Sequence, residues 1–131
     1  ARLARAEPDA LGAIGIVRQR QGAIIALARA LEAGELPLSP AEDPATTMAR
    51  LRALPGIGDW TAQYIAMRAL HWPDAFPAGD IALQRALGLP KSRDASAAAE
   101  RASQAWQPWR SYAVLRAWQA PRGVAPQEAT P

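Results

Sequence analysis

Along most of the chain the apolar residues recur three and four positions apart rather than two, with Ala, Leu, Arg and Glu dominating. That period belongs to α-helices that bury one face, and no stretch alternates in the manner of a half-buried strand. Pro8 can open a short helix to about Leu11. Ile16 to Ala33 forms a longer amphipathic stretch through Ile24, Leu27 and Leu31, closed by Gly34 as a left-handed cap. A proline-rich loop follows from Leu36 to Pro40. Asp43-Pro44 is a strong helix start, a side-chain acceptor at the cap with proline at the first helical position, and leads into Met48, Leu51 and Leu54.

Pro55-Gly56-Ile57-Gly58 interrupts that helix, and a second runs from about Asp59 to Leu70, where His71-Trp72-Pro73 ends it. After a loop through Pro77, Gly79-Asp80 starts a short helix that Gly88 and Pro90 stop. Ser92 to Trp106 and Trp109 to Ala120 supply two more helices, joined at Pro108. From Pro121 onward glycine and proline predict a frayed tail. No repeat and no low-complexity linker divides the chain. The pattern therefore predicts an all-α helical bundle with one core over residues 1–120 and a tail over 121–131.

Composition narrows what such a bundle can do. Half of the 131 residues are hydrophobic, enough for a real core. There is no uninterrupted apolar run of about 18 residues and no secretory-type leader, so a soluble, intracellular protein without a membrane partner is expected. The absence of cysteine excludes disulfides, thiolate zinc sites and thiolate-held iron–sulfur clusters. The net charge is only +3, yet the basic side is almost wholly arginine, with Lys91 the single lysine. Arginine suits phosphate contact, and a polyanionic partner is permitted; a biased genome composition accounts for the skew equally well. The chain begins Ala1-Arg2-Leu3, inside a helical pattern and without an initiator Met, and is expected to be a piece of something longer.

Three features carry candidate chemistry. Leu54-Pro55-Gly56-Ile57-Gly58 lies between two helical segments, and its glycines let the backbone turn tightly and present N–H groups where the next helix begins. Such a turn can hold a DNA phosphate without reading sequence, with Ile57 plugged into the core. It can equally be an ordinary glycine-capped helix–helix turn. Asp80 opens a short helix and reads as an N-cap. The same position suits a carboxylate that stabilises an oxocarbenium-like sugar or activates water, and one residue can serve both roles. Trp60 and Tyr64, four apart, share a helical face, while Trp118 ends a late helix that also carries Tyr112 and Leu115. Five tryptophans among eight aromatics suit stacking on a flipped, electron-poor base. Tryptophan is more often a core residue, and on pattern alone Trp106 and Trp109 in particular are assigned to the core. His71, the only histidine, reads as a surface or capping residue with no metal cluster around it.

Taken together, these residues resemble the helix-hairpin-helix DNA glycosylase superfamily, whose signature is a Leu-Pro-Gly-[Ile/Val]-Gly hairpin followed by a catalytic Asp. Here Asp80 lies 22 residues past Gly58. Gly56 to Ala62, Ala66-Met67-Arg68, Gln84-Arg85 and Trp106 to Ala113 are most similar to the DNA-3-methyladenine glycosylase II, or AlkA-type, branch. The likeness covers roughly residues 10 to 120 and implies a C-terminal fragment of such an enzyme.

The resemblance implies Asp80 as the catalytic carboxylate and Trp60, Tyr64 and Trp118 as the base pocket. It implies DNA backbone contacts at Pro55, Gly56, Ile57, Gly58 and Thr61. Carbonyls of Leu54 and Ile57, with Arg52 a further candidate, would hold a structural monovalent cation, sodium or potassium, with no other cofactor and no iron–sulfur cluster. In strand-cutting members a lysine occupies the place of Trp60, so no amine is present there to form a Schiff base. The implied reaction is monofunctional removal of alkylated purines such as 3-methyladenine from double-stranded DNA, by a monomer in the bacterial cytoplasm, associated with the nucleoid. Two departures stand out: Gly79 replaces a second Asp that often precedes the catalytic one, and the family's upstream α/β domain and DNA-wedging residue are absent from this sequence. A non-catalytic helix-hairpin-helix module that holds DNA, or a glycosylase for uracil or mismatched thymine, are the competing readings.

Overall fold

The computed structural model describes residues 2–39 and 41–119. Among them lie seven α-helices and two short 3-10 turns, with no strand, so the fold is all-α. The helices are α1 (Pro8–Gly12), α2 (Arg18–Glu32), α3 (Pro44–Ala53), α4 (Asp59–Arg68), α5 (Ile81–Ala86), α6 (Ala95–Ala102) and α7 (Arg110–Gln119). None is long and apolar enough to cross a membrane. The expected tail over 121–131, together with Ala120 and Pro40, lies outside the described residues. The chain's contacts divide it at His71 into two compact units.

In the first unit α2 packs against α1 and the 3-10 turn at Leu3–Arg5, and α3 packs against α4. Proline supplies the first helical residue of both α1 and α3, and Asp43 caps α3 by accepting the Thr46 amide at 2.9 Å. Met48 and Leu51 are buried as expected. The buried face of α2 differs from the expected one. Gln21, Ala23, Ile25 and Ala30 are buried, Ile24 and Leu27 are half-buried, and Leu31 is exposed. At Ala23 a small side chain admits a neighbouring backbone, as described below for Gly56. Gln21 is satisfied in its buried place by donating to the Ile16 carbonyl at 2.6 Å. Gly34 takes the left-handed conformation expected of it, with φ of 72°. His71 is exposed and left-handed just past α4, with φ of 53°.

The second unit packs α5 against both α7 and α6. Phe76, Leu83, Ala99 and Val114 are buried. The continuous helix expected over Ser92–Trp106 is shorter: α6 ends at Ala102, and Gln104–Trp106 is a separate 3-10 turn. Ser103, wholly buried, turns its hydroxyl back onto the Glu100 carbonyl at 2.9 Å, a local bond that competes with helix propagation.

The tryptophan assignment also needs correction. Trp109 is 58% exposed, Trp106 is only half-buried with its ring edge-on to Phe76, and Trp60 is exposed. Arg110, Ser111 and Val114 occupy the inner face of α7. That leaves Trp109 and Tyr112 outside, with ring centroids 6.0 Å apart.

Candidate active site

The hairpin begins where α3 stops. Leu54 leaves the helix with extended backbone, and the Ile57 amide donates to its carbonyl at 3.2 Å. Gly56 has φ of +79°, and a Cβ placed there would come 2.8 Å from the Cβ of Ala23. Glycine is required twice over, by conformation and by the close passage of α2. Ile57 is buried, anchoring the turn as expected. Gly58 is extended rather than left-handed, and nothing lies within 4 Å of where its Cβ would be. It caps α4 with no side-chain acceptor, whereas α3 and α5 are each capped by an aspartate. The first intrahelical bond of α4 runs from the Ala62 amide to the Gly58 carbonyl at 3.0 Å, so the amides of Asp59 to Thr61 precede that ladder.

Pro55, Gly56 and Gly58 are exposed and Thr61 is half-buried. Arg52, at the end of α3, reaches across the turn and donates through Nε to Asp59 Oδ1 at 2.8 Å. Sequence reading had not singled out this pair, although the seven-residue separation spans the hairpin. One turn into α4, Trp60 and Tyr64 stack with centroids 5.2 Å apart and planes 10° from parallel. Their four-residue spacing made that face legible.

In the second unit Asp80 caps α5. Its Oδ1 accepts the Leu83 amide at 2.7 Å and the indole Nε1–H of Trp118 at 3.2 Å. Asp80 is half-buried, and its own amide donates to the Pro77 carbonyl at 2.8 Å. The cap and the candidate catalytic group are thus one carboxylate, joined to an aromatic ring 38 residues away. Gly79 is exposed and shows no requirement for glycine: a Cβ there would meet only Ser96 Oγ, at 3.8 Å.

Along the segment that leads to Asp80 the structure holds residues that sequence reading missed. Arg110 and Ser111, at the start of α7, bind the segment that precedes Asp80, with Asp74 receiving the guanidinium. The run Trp109-Arg110-Ser111-Tyr112 was visible in the sequence, but its partners lie 36 and 39 positions away and no local spacing reveals them. No cluster of three metal-ligating His, Cys, Asp or Glu side chains occurs among the described residues.

A helix start whose first amides precede the ladder can accept an anion, and a carboxylate tied to an indole can stabilise developing positive charge. No family model matches the chain. Over 129 residues it is 40% identical to "DNA-3-methyladenine glycosylase 2" of Escherichia coli, an alignment that covers 98% of this chain and 44% of that protein. It is 44% identical over 110 residues to a "Probable bifunctional transcriptional activator/DNA repair enzyme AlkA" of Mycobacterium tuberculosis, covering 82% of the chain and 22% of the relative. To "DNA-3-methyladenine glycosylase" of Bacillus subtilis it is 30% identical over 125 residues, covering 89% and 40%. The chain thus spans less than half the length of each of these relatives.

Proposed function

The chain belongs to the helix-hairpin-helix DNA glycosylases of the AlkA type, and from that premise we propose that it removes alkylated purines such as 3-methyladenine from double-stranded DNA by hydrolysis. The observation that carries the proposal is the hydrogen bond from Trp118 Nε1 to Asp80 Oδ1, which sets a carboxylate at the edge of a flat aromatic surface. A carboxylate serving only as a helix cap has no need of an indole donor.

In this reading the hairpin holds the DNA backbone through the amides at the start of α4, with Pro55, Gly56, Ile57, Gly58 and Thr61 forming the contact surface. The exposed Gly58 allows a phosphate to approach that helix start closely. Carbonyls of Leu54 and Ile57 are offered to a sodium or potassium ion; the Leu54 oxygen already accepts one amide and keeps a lone pair for a cation. The resemblance assigns the flipped base to the flat rings of Trp60 and Tyr64 in the first unit and of Trp118 in the second, side chains suited to stacking.

An N-alkylated purine carries positive charge, so when its bond to the sugar C1′ breaks, the electron pair leaves with the base and neutralises it. The charge passes to the sugar as an oxocarbenium ion, which the Asp80 carboxylate stabilises. Water adds at C1′, Asp80 takes up its proton, and an abasic site remains. Trp60 offers no amine, so the strand is not cut. The protein acts as a monomer in the bacterial cytoplasm, on the nucleoid.

The deciding experiment is base release from globally methylated DNA, comparing the protein with Asp80→Asn. Release of 3-methyladenine that the variant loses while still binding DNA is the expected result. Equal release by the variant removes Asp80 from the mechanism. DNA binding without release from methylated, uracil-containing or thymine-mismatched DNA makes the protein a holding module, and release only from the latter two reassigns its substrate.

A further inference from the structure

Helix α7 is attached to the segment that ends in Asp80 at both of its ends. At the far end Trp118 reaches Asp80 itself. At the near end Arg110, only 8% exposed, donates through Nε to Asp74 Oδ1 and through Nη2 to Asp74 Oδ2, both at 2.8 Å. Its third arm, Nη1, meets Glu100 Oε1 at 2.6 Å, so α6 is tied into the same cluster. The guanidinium also lies 5.7 Å from the ring centroid of Phe76. Ser111 completes the staple. Its amide donates to the Pro73 carbonyl at 2.8 Å, and its hydroxyl reaches the Trp72 and Ala75 carbonyls at 2.8 and 3.0 Å.

We infer that Arg110 is a positioning residue for the reaction: its two-pronged grip on Asp74 sets the 72–80 segment against α7 and so holds Asp80 Oδ1 within reach of the Trp118 indole. The inference rests on the proposed glycosylase activity for its kinetic consequence, though not for its geometric one. A planar fork with two parallel donors fixes both the distance and the angle between two backbones, which a packed methyl group or a single ammonium cannot do. Buried ion pairs contribute little net stability compared with apolar packing of the same volume, so the largely buried pair of Arg110 and Asp74 is better explained by the geometry it specifies. Only Ala78 and Gly79 separate Pro77, at the end of this clamped segment, from Asp80, and the Asp80 amide is itself bonded to the Pro77 carbonyl. Little slack is left to absorb a shift.

The test compares the wild-type chain with Arg110→Lys, which keeps the charge and loses the fork, and with Asp74→Asn, which keeps the shape and weakens the grip from the other side. Two readouts are taken. Single-turnover base release from methylated DNA is expected to fall roughly 10- to 100-fold in kcat with KM within about twofold, the signature of a misplaced catalytic group rather than of lost binding. The indole N–H resonance of Trp118 in a proton–nitrogen correlation spectrum, assigned with Trp118→Phe, is expected to move toward its position in Asp80→Asn. The same spectrum shows whether each variant is folded. Should Arg110→Lys unfold, the paired change Arg110→Met with Asp74→Leu, which leaves no buried charge facing another, takes its place. A folded variant with an unmoved Trp118 resonance overturns the inference, as does a folded variant whose kcat equals that of an active wild type. If the wild type releases no base, the glycosylase reading fails by itself, and the resonance still decides whether Arg110 sets the bond between Asp80 and Trp118.

Discussion

Asp80 and Trp118 meet through one oxygen: the carboxylate oxygen that caps α5 by accepting the Leu83 amide also accepts the indole N–H, at 3.2 Å. A carboxylate so held cannot swing freely, and its position is referred to two different helices.

Replacing Trp118 with Phe keeps an aromatic surface and removes the donor. A hydrogen bond to a charged group is worth about 1.5–3 kcal/mol, so base release should slow by roughly ten- to a hundredfold, with α5 still capped by Asp80. Single-turnover kinetics beside a thermal melt would separate the two effects. A rate equal to that of wild type would detach the bond from catalysis.

The two hairpin glycines should fail in different ways. Gly56→Ala must place a methyl 2.8 Å from the Ala23 Cβ and hold it at φ of +79°. The conformation alone costs about 1–2 kcal/mol, so a clear loss of melting temperature is expected. Gly58→Ala meets no protein atom within 4 Å, and the chain should melt close to wild type while binding duplex DNA more weakly. Anisotropy titrations with a labelled duplex supply the second measurement. Equal affinity would take Gly58 out of the phosphate contact.

Arg52 and Asp59 are both substantially exposed, with side-chain accessibilities of 44% and 55%. An ion pair of that kind contributes at most about 1 kcal/mol, so Arg52→Ala should scarcely change stability. If the guanidinium turns from Asp59 to a phosphate when DNA binds, the same variant lowers affinity and reduces the slope of log K against log salt by about one. A titration series in salt reads the slope directly, and an unaltered slope places Arg52 off the DNA.

The hydroxyl of Thr46, followed by its amide, holds the Asp43 carboxyl below its ordinary value of 3.8. The folded state therefore favours the ionised form, and the stabilisation is fully present above that ordinary value. It is lost as pH falls through the lower folded value. Asp43→Ala should accordingly melt earlier than wild type at neutral pH, and the gap should narrow in strongly acidic buffer. A gap that stays constant with pH would show that the cap does not depend on charge.

Much of this was legible without coordinates because it is local chemistry. Asp43-Pro44 and Gly79-Asp80 announce helix starts through groups that satisfy the amides of the next turn, and both aspartates do cap their helices. The four-residue spacing of Trp60 and Tyr64 fixes a shared face at any packing, and the rings are stacked. Leu54 to Gly58 specify a tight turn by residue type alone. The weaker expectations concerned packing. Leu31 and Trp109 look like core residues by hydropathy, yet both are exposed, because Ala23 and Ala30 on α2 and Ser111 and Val114 on α7 are buried in their place.

By itself the sequence determined most of the helices, the turn at Leu54 to Gly58 and the caps at Asp43 and Asp80, since each depends on neighbours within about four residues of backbone. Only the tertiary structure decided that Trp118 binds Asp80, that Asp74 receives Arg110, and that Ala23 makes Gly56 indispensable. Those partners lie 38, 36 and 33 positions away, and what joins them is the volume and angle at which helices meet rather than any period along the chain.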